Sequence, residues 1–448
     1  VTAIHAESAL LPNGWVRNVR IVFQDGLIAS IEVGSSPRPQ DDCHSVVVPA
    51  MPNLHSHAFQ RAMAGLAEIR GPSDDSFWSW RTVMYKFALS MTPDQVEAVA
   101  AQLYMEMLEA GFGRVGEFHY LHNDRDGSHY DNVAEMGERI GAAASETGIG
   151  LTLLPVFYAH SGFGGLPPIE GQRRFIHSLD SYQRLMQGAE RVVKALPGAV
   201  LGIAPHSLRA VTGEELTAIE PLAKGGPIHI HVAEQVKEVQ DSLAFSGARP
   251  VEWLLANAAV DARWCLIHAT HMTEAETHRV AKSGAIAGLC PITEANLGDG
   301  TFSAQDFLAA AGRFGVGSDS NILISVAEEL RMLEYSQRLS LRARNVIAEP
   351  GSSTGQRLFG SSLEGGSIAL GATARIDIGA SADVVALDMS DVPYIASQQV
   401  LDQWIFASGV RVGSVWVRGK ELVQSGRHIR REAITRRFHK VMADLVNS

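Results

Sequence analysis

Short apolar runs alternate along this chain with longer segments in which apolar residues recur at helical spacing. Residues 1–48 hold only short runs. Val16–Phe23, Leu27–Val33 and Ser45–Val48 alternate apolar and polar positions, with turn residues at Pro12-Asn13-Gly14 and Asp25-Gly26. A period of two bounded by turn residues predicts β-strands. The same rhythm returns in Asp383–Leu387, Arg411–Arg418 and Glu421–Gln424. The two ends of the chain are therefore expected to form one small β-sandwich, built from residues 1–49 and 367–428.

From Ser45 onward there are eight apolar runs of strand length: Ser45–His55, Gly113–Phe118, Gly150–Phe157, Val200–Pro205, Pro227–Val232, Trp264–Ile267, Gly284–Leu289 and Phe314–Gly317. Helical segments separate several of them. Thr92 can cap a helix through Val96, Val99, Leu103, Met107 and Leu108, and Thr273 with Glu276 has capping-box spacing. Strands alternating with helices predict a parallel sheet, and eight such units predict an α/β fold, a (β/α)8 TIM barrel over residues 50–366. The Gly/Ser-rich stretch Pro350–Ser367 reads as a connection back to the β-domain. Ile434, Phe438, Met442 and Leu445 recur at helical spacing among Arg430, Arg431, Arg436, Arg437 and Lys440. That predicts a packed terminal helix within 429–448, with a solvated basic face.

A barrel gathers its functional groups at the C-terminal ends of its strands. The first run ends in His55-Ser56-His57, the second in His119-Tyr120 and the third in Tyr158. His206 closes the fourth, His231-Val232-Ala233-Glu234 the fifth and His268 the sixth. Cys290-Pro291 and Asp319 follow the seventh and eighth. His55 and His57 are two apart, so on a strand both imidazoles face one side and can reach one ion. A lone His-x-His is cheap: His229-Ile230-His231 is a second example. The order of the whole set carries more weight than any pair.

Composition narrows the picture. Hydrophobic residues are 46% and charged residues 19%, which supports a large core and excludes global disorder. A formal charge of −11 argues against nucleic acid and against an anionic membrane surface. No basic and apolar leader opens the sequence, and no apolar run is long enough to span a bilayer. Three scattered cysteines, Cys43, Cys265 and Cys290, favour neither disulfides nor a thiolate metal site, so the cytoplasm is the expected compartment. The expected assembly is a homodimer. Gly111-Phe112-Gly113-Arg114-Val115-Gly116 fits a dinucleotide fingerprint but precedes a strand, so it reads as a helix stop. Cys290 reads as a buried thiol, not a nucleophile.

The anchors Pro52-Asn53-Leu54-His55-Ser56-His57, His231-Val232-Ala233-Glu234, Leu266-Ile267-His268 and Gly317-Ser318-Asp319-Ser320 resemble the mononuclear deaminase branch of the amidohydrolase superfamily. The resemblance spans almost the whole chain and implies a barrel holding one divalent metal, usually zinc. The ligands it implies are His55, His57, His231 and Asp319, with His229 a rival for His231. Dinuclear members carry a lysine at the end of strand four; Val200–His206 has none, which favours one metal. Such a set leaves a position for water and lowers its pKa toward about 7. Glu234 is the expected proton shuttle, His268 would orient or stabilise the reacting group, and Asp319 would also aim the water. The plain alternatives are a helix-start carboxylate for Glu234 and a satisfied core histidine for His268.

Four further segments, His55–Arg61, Phe77–Arg81, Glu117–Tyr120 and Ala204–Arg209, resemble the bacterial formiminoglutamate deiminases. That implies hydrolysis of N-formimino-L-glutamate to N-formyl-L-glutamate and ammonia in histidine breakdown. The substrate has two carboxylates, which planar guanidinium groups bind bidentately. Arg81 and Arg209 are the expected clamps, with Tyr120, His206 and Gln60 as neutral contacts. Arg61 and Arg114 are nearby rivals, and Arg81 could instead be a surface helix arginine. Two other functions stay open: a zinc deaminase of an aminated purine, pyrimidine or triazine, and a non-catalytic metal-binding or ligand-sensing barrel.

Overall fold

A computed structural model describes residues 2–71 and 77–447. The chain opens with four strands, β1 (Thr2–Leu11), β2 (Gly14–Gln24), β3 (Leu27–Val33) and β4 (Asp42–Pro49). Then come β5 (Met51–Ser56), β6 (Phe112–His119), β7 (Gly150–Phe157), β8 (Val200–Leu201), β9 (Ala204–Pro205), β10 (Ile228–Val232), β11 (Trp264–His268), β12 (Ile286–Leu289) and β13 (Arg313–Val316). It closes with β14 (Val384–Asp388), β15 (Arg411–Val417), β16 (Lys420–Gln424) and β17 (Arg427–His428).

The terminal segments pair in one mixed eight-stranded sheet, in the order β17-β16-β15-β14-β4-β1-β2-β3. Residue alternation explains its position. Val47 of β4 joins Ile4, Ile21, Phe23, Val384 and Trp416 in one apolar cluster. Its neighbours Val46 and Val48 point the other way, into the main core with Val385, Val415 and Val417. The first long run of the sequence is thus two strands: Pro49 ends β4, and β5 begins at Met51 in a different sheet.

The central strands are parallel. β5 to β8 form one sheet, with β9 on β7, and β10 to β13 form another. Isolated parallel bridges join Ser56 to Asp319, Ile203 to Ile228 and Ser207 to His231. The fourth run is broken at Gly202, where a Cβ would lie 2.5 Å from Pro227 O. Thr92 and Thr273 both cap their helices, each with its capping box.

The stretch Pro350–Ser367 contains most of a helix, Thr354–Ala369, and is not a plain connection. Ser353 accepts the backbone N–H of Gln356 and starts it. The glycines serve close packing: a Cβ on Gly365 would sit 1.9 Å from Phe314 O of β13. Composition suggested a loop, but contact requires small residues on a helix here. The terminal helix Arg431–Asn447 buries Ile434, Phe438 and Leu445, and Arg431 and Arg437 pair with Glu109 and Glu146. Among the described residues no helix is long and apolar enough to cross a membrane.

Candidate active site

The C-terminal ends of β5, β10, β11 and β13 converge. His57 Nε2 lies 3.2 Å and His55 Nε2 3.4 Å from Asp319 Oδ1. His231 Nε2 is 3.1 Å from His55 Nε2. One donor atom from each of these four buried residues lies within 4.8 Å of the others. His57 Nδ1 donates to Phe118 O at 2.9 Å, and His231 Nδ1 donates to His206 O at 3.0 Å. Each carbonyl fixes a tautomer that leaves Nε2 free to face the cluster. The rival His229 points away and donates Nε2 to Ala369 O at 2.7 Å.

The backbone around the cluster is bent to aim it. Ala233, His268, Ala269 and Asp319 hold φ of 53°, 66°, 47° and 45°, a left-handed region costly for side-chain-bearing residues. Hydrogen bonds hold these bends. Glu238 accepts the N–H groups of Ala233 and Glu234, both at 3.1 Å. Asn53 Oδ1 accepts Ser318 N–H at 3.0 Å, and Asn321 Nδ2 donates to His57 O at 3.1 Å.

Charge follows from burial. Loss of water holds His55 down at about 3, and it also drives His231 well below the usual imidazole range. Burial alone would raise Asp319, but its contacts with His55 and His57 outweigh that and keep it a carboxylate. Burial raises Glu234 to about 7, with the His268 charge opposing. His268 Nε2 lies 3.7 Å from Glu234 Oε1 and from Asp319 Oδ2, and its Nδ1 is 3.2 Å from Glu294 Oε1.

One pocket collects His57, Gln60, Arg81, Tyr120, His206, Arg209, His231, Glu234, His268 and Asp319. Of the sequence-predicted residues, His55 alone is not on its wall. Arg81 lies in the helix Phe77–Ser90, yet it lines the pocket. The Arg81 and Arg209 guanidinium carbons stand 4.7 Å and 5.6 Å from the centre of the Trp78 ring. Buried Arg209 Nε has no hydrogen-bond partner among the described residues. Gln60 Nε2 donates to Tyr120 Oη at 2.8 Å. The rival Arg61 is taken by Glu106, and Arg114 by Leu151 O and Gly198 O.

A family model described as the amidohydrolase family matches residues 46–422. The chain belongs to the amidohydrolase family. A second model, described as the N-terminal domain of formimidoylglutamate deiminase HutF, matches residues 1–45. This amidohydrolase is 50% identical to formimidoylglutamate deiminase of Pseudomonas aeruginosa, with 100% of both chains covered. It is 24% identical to 5-methylthioadenosine/S-adenosylhomocysteine deaminase of Natronomonas pharaonis, over 94% of this chain and 92% of that one. Among solved structures, an amidohydrolase from Brucella melitensis has a TM-score of 0.98 at 59% identity, covering 100% of each chain. An adenosine deaminase from Xanthomonas campestris with bound zinc has a TM-score of 0.80 at 20% identity, over 100% of this chain and 99% of that one, and shares the fold.

Three acidic residues of the amidohydrolase escaped the sequence reading. Glu294 faces His268, Glu117 accepts Ala58 N–H at 2.6 Å and Tyr104 Oη at 3.0 Å behind His57, and Asp299 adjoins Glu234 and His268. Glu117 faces away from the strand surface that carries Phe118. Glu294 and Asp299 lie beyond Cys290-Pro291, where strand patterning stops. Glu294 and Asp299 are isolated acids five positions apart, with no spacing that marks them. Cys290 is buried, and burial raises its thiol well above the usual range, which disfavours a nucleophile.

Proposed function

We propose that this amidohydrolase hydrolyses N-formimino-L-glutamate to N-formyl-L-glutamate and ammonia, a step of histidine degradation. The observation that carries the reading is one pocket lined by two guanidinium groups, by the acid–base pair Glu234 and His268, and by His57, His231 and Asp319 of the histidine–aspartate cluster. The name of the 50% identical relative, formimidoylglutamate deiminase, agrees with it. A divalent cation fits that cluster: three neutral imidazoles and one carboxylate converge, and two of the imidazoles already have tautomers that expose Nε2. His55, His57, His231 and Asp319 would hold it, with zinc the expected metal and one ion the expected count. Bound there, it would supply the Lewis acidity that makes water a nucleophile near neutral pH.

The chain's own residues do the rest. Arg81 and Arg209 bind the two carboxylates and fix the distance from the clamp to the formimino carbon. Gln60, Tyr120 and His206 orient the body of the substrate. Glu234 takes a proton from the attacking water and delivers it to the formimino nitrogen, then carries the remaining hydroxyl proton to the same nitrogen as the C–N bond breaks and the C=O forms, so that ammonia leaves. His268 balances negative charge on the attacking oxygen, and Asp319 accepts a hydrogen bond that aims the water.

In this reading β5 to β13 close into the (β/α)8 barrel, and the three isolated parallel bridges support that closure. Residues 1–49 and 367–428 make the β-sandwich domain, and 429–448 the terminal helix. Incubating the purified protein with formiminoglutamate and measuring ammonia tests the function. Release of ammonia is expected. Turnover of guanine or an adenine nucleoside, with none of formiminoglutamate, overturns the reading in favour of a base deaminase. Metal binding with no turnover of any of these leaves a ligand-binding barrel.

A further inference from the structure

The segment after β12 passes behind the acid–base pair. Asp299 stands between Gly298 and Gly300, whose φ values are 68° and 130°. A φ near 130° is open to glycine and shunned by other residues, so the backbone is shaped to seat Asp299 here. The Asp299 side chain is buried, and it does not line the pocket that Glu234 and His268 line. One of its carboxyl oxygens takes the side-chain amide of Gln235. The other, Oδ2, is buried with no hydrogen-bond partner among the described residues. Donor atoms of Asp299, Glu234 and His268 lie within 4.8 Å of one another.

Two carboxylates that close and out of water repel each other, and each loses hydration. One proton on the outer acid removes both costs. Burial, and after it the Glu234 charge, raise Asp299 to about 9 against the opposing His268 charge, which favours the protonated acid at neutral pH. A protonated carboxyl is a donor, and the Glu234 carboxylate within that cluster is an acceptor.

We infer that Asp299 is a positioning residue: as a neutral acid it turns its O–H to Glu234 and holds that carboxylate toward the reacting carbon. The inference rests on the deiminase reading and adds the group that orients its proton shuttle.

The experiment compares kcat, KM and bound metal in the holoenzyme with formiminoglutamate as substrate. Asp299→Ala lowers kcat by about ten-fold or more, with KM and metal content unchanged, the scale of one lost hydrogen bond to a charged group. Asp299→Asn keeps an N–H donor and the Gln235 contact, and stays within about three-fold of the parent kcat. Gln235→Ala breaks the same contact but leaves the acid, so it stays well above Asp299→Ala. Asp299→Leu, with the same branching at Cγ and no polar atom, replaces Asp299→Ala if that variant does not fold. An unchanged kcat in Asp299→Ala overturns the inference. So does Asp299→Asn as slow as Asp299→Ala, or Gln235→Ala equal to it. Parent turnover, measured alongside, tests the deiminase reading separately, so a loss confined to the variants belongs to Asp299.

Discussion

His231 and His55 direct their Nε2 atoms at each other across 3.1 Å. His231 carries its ring proton on Nδ1, where it donates to His206 O, so the bare Nε2 faces His55. Asp319 Oδ1 approaches His55 Nε2 from another side at 3.4 Å. Electron-rich atoms gathered this closely are a poor fit for each other and a good fit for a cation.

Metal removal is therefore expected to cost both activity and stability. Exhaustive chelation should abolish ammonia release and lower the thermal midpoint. At a free metal concentration of about 1,000 times Kd, binding contributes about 4 kcal/mol to the folded state. Adding back a divalent cation should restore both. Full activity in metal-free protein would refute the ligand set.

Glu234→Gln keeps the shape of the side chain and removes its ability to accept a proton. Turnover is expected to fall by about 10²- to 10⁴-fold, with the metal retained. Ammonia release at the parent rate would exclude Glu234 from proton transfer.

Arg81→Met and Arg209→Met each remove one guanidinium from beside Trp78. Each should lower kcat/KM by about 2–5 kcal/mol equivalent, the scale of a truncated buried charge contact. Lysine at either position should not restore the loss, because an ammonium lacks the planar fork. An unaffected kcat/KM would remove that arginine from the clamp.

Acid sensitivity has a separate source. His122 and His177 are buried with ring centres 4.9 Å apart. Burial holds His122 down at about 4 and, with neighbouring charges adding to it, His177 at about 2. Both therefore stay neutral in the fold while the unfolded chain takes up protons near pH 6.5. The unfolded state binds more protons below that pH, so stability is complete above 6.5 and falls as pH drops. Between pH 6.5 and 5 each costs about 2 kcal/mol. Urea unfolding at pH 7.5 and 5 measures this, and His177→Gln should shrink the difference by about one histidine's share. An undiminished difference would show that His177 does not stay neutral.

The sequence made the site legible where a strand hands its last residue to the pocket. His55, His57, His231, His268 and Asp319 all stand at such ends, so apolar runs were enough to find them. His229 and His231 share one face of β10, so alternation does not rank them; position along the strand does, since His231 near its C-terminal end reaches His55 while His229 is bonded to Ala369 O. The helix Thr354–Ala369 was hidden because its glycines signal flexibility by composition and close packing by contact. Glu294 and Asp299 were hidden because they follow Cys290 on a short helix and a glycine-flanked turn, beyond any periodic pattern.

The eight-stranded sheet also sets an order of assembly during synthesis. β4 finds β1 at once, but its other edge waits for β14, whose residues follow some 330 positions later. At ribosomal speed that is a delay on the order of tens of seconds. Through that interval Val46, Val47 and Val48 form an open edge able to pair with another nascent chain. Growth temperature and chaperone supply should therefore govern soluble yield through this one unsealed strand.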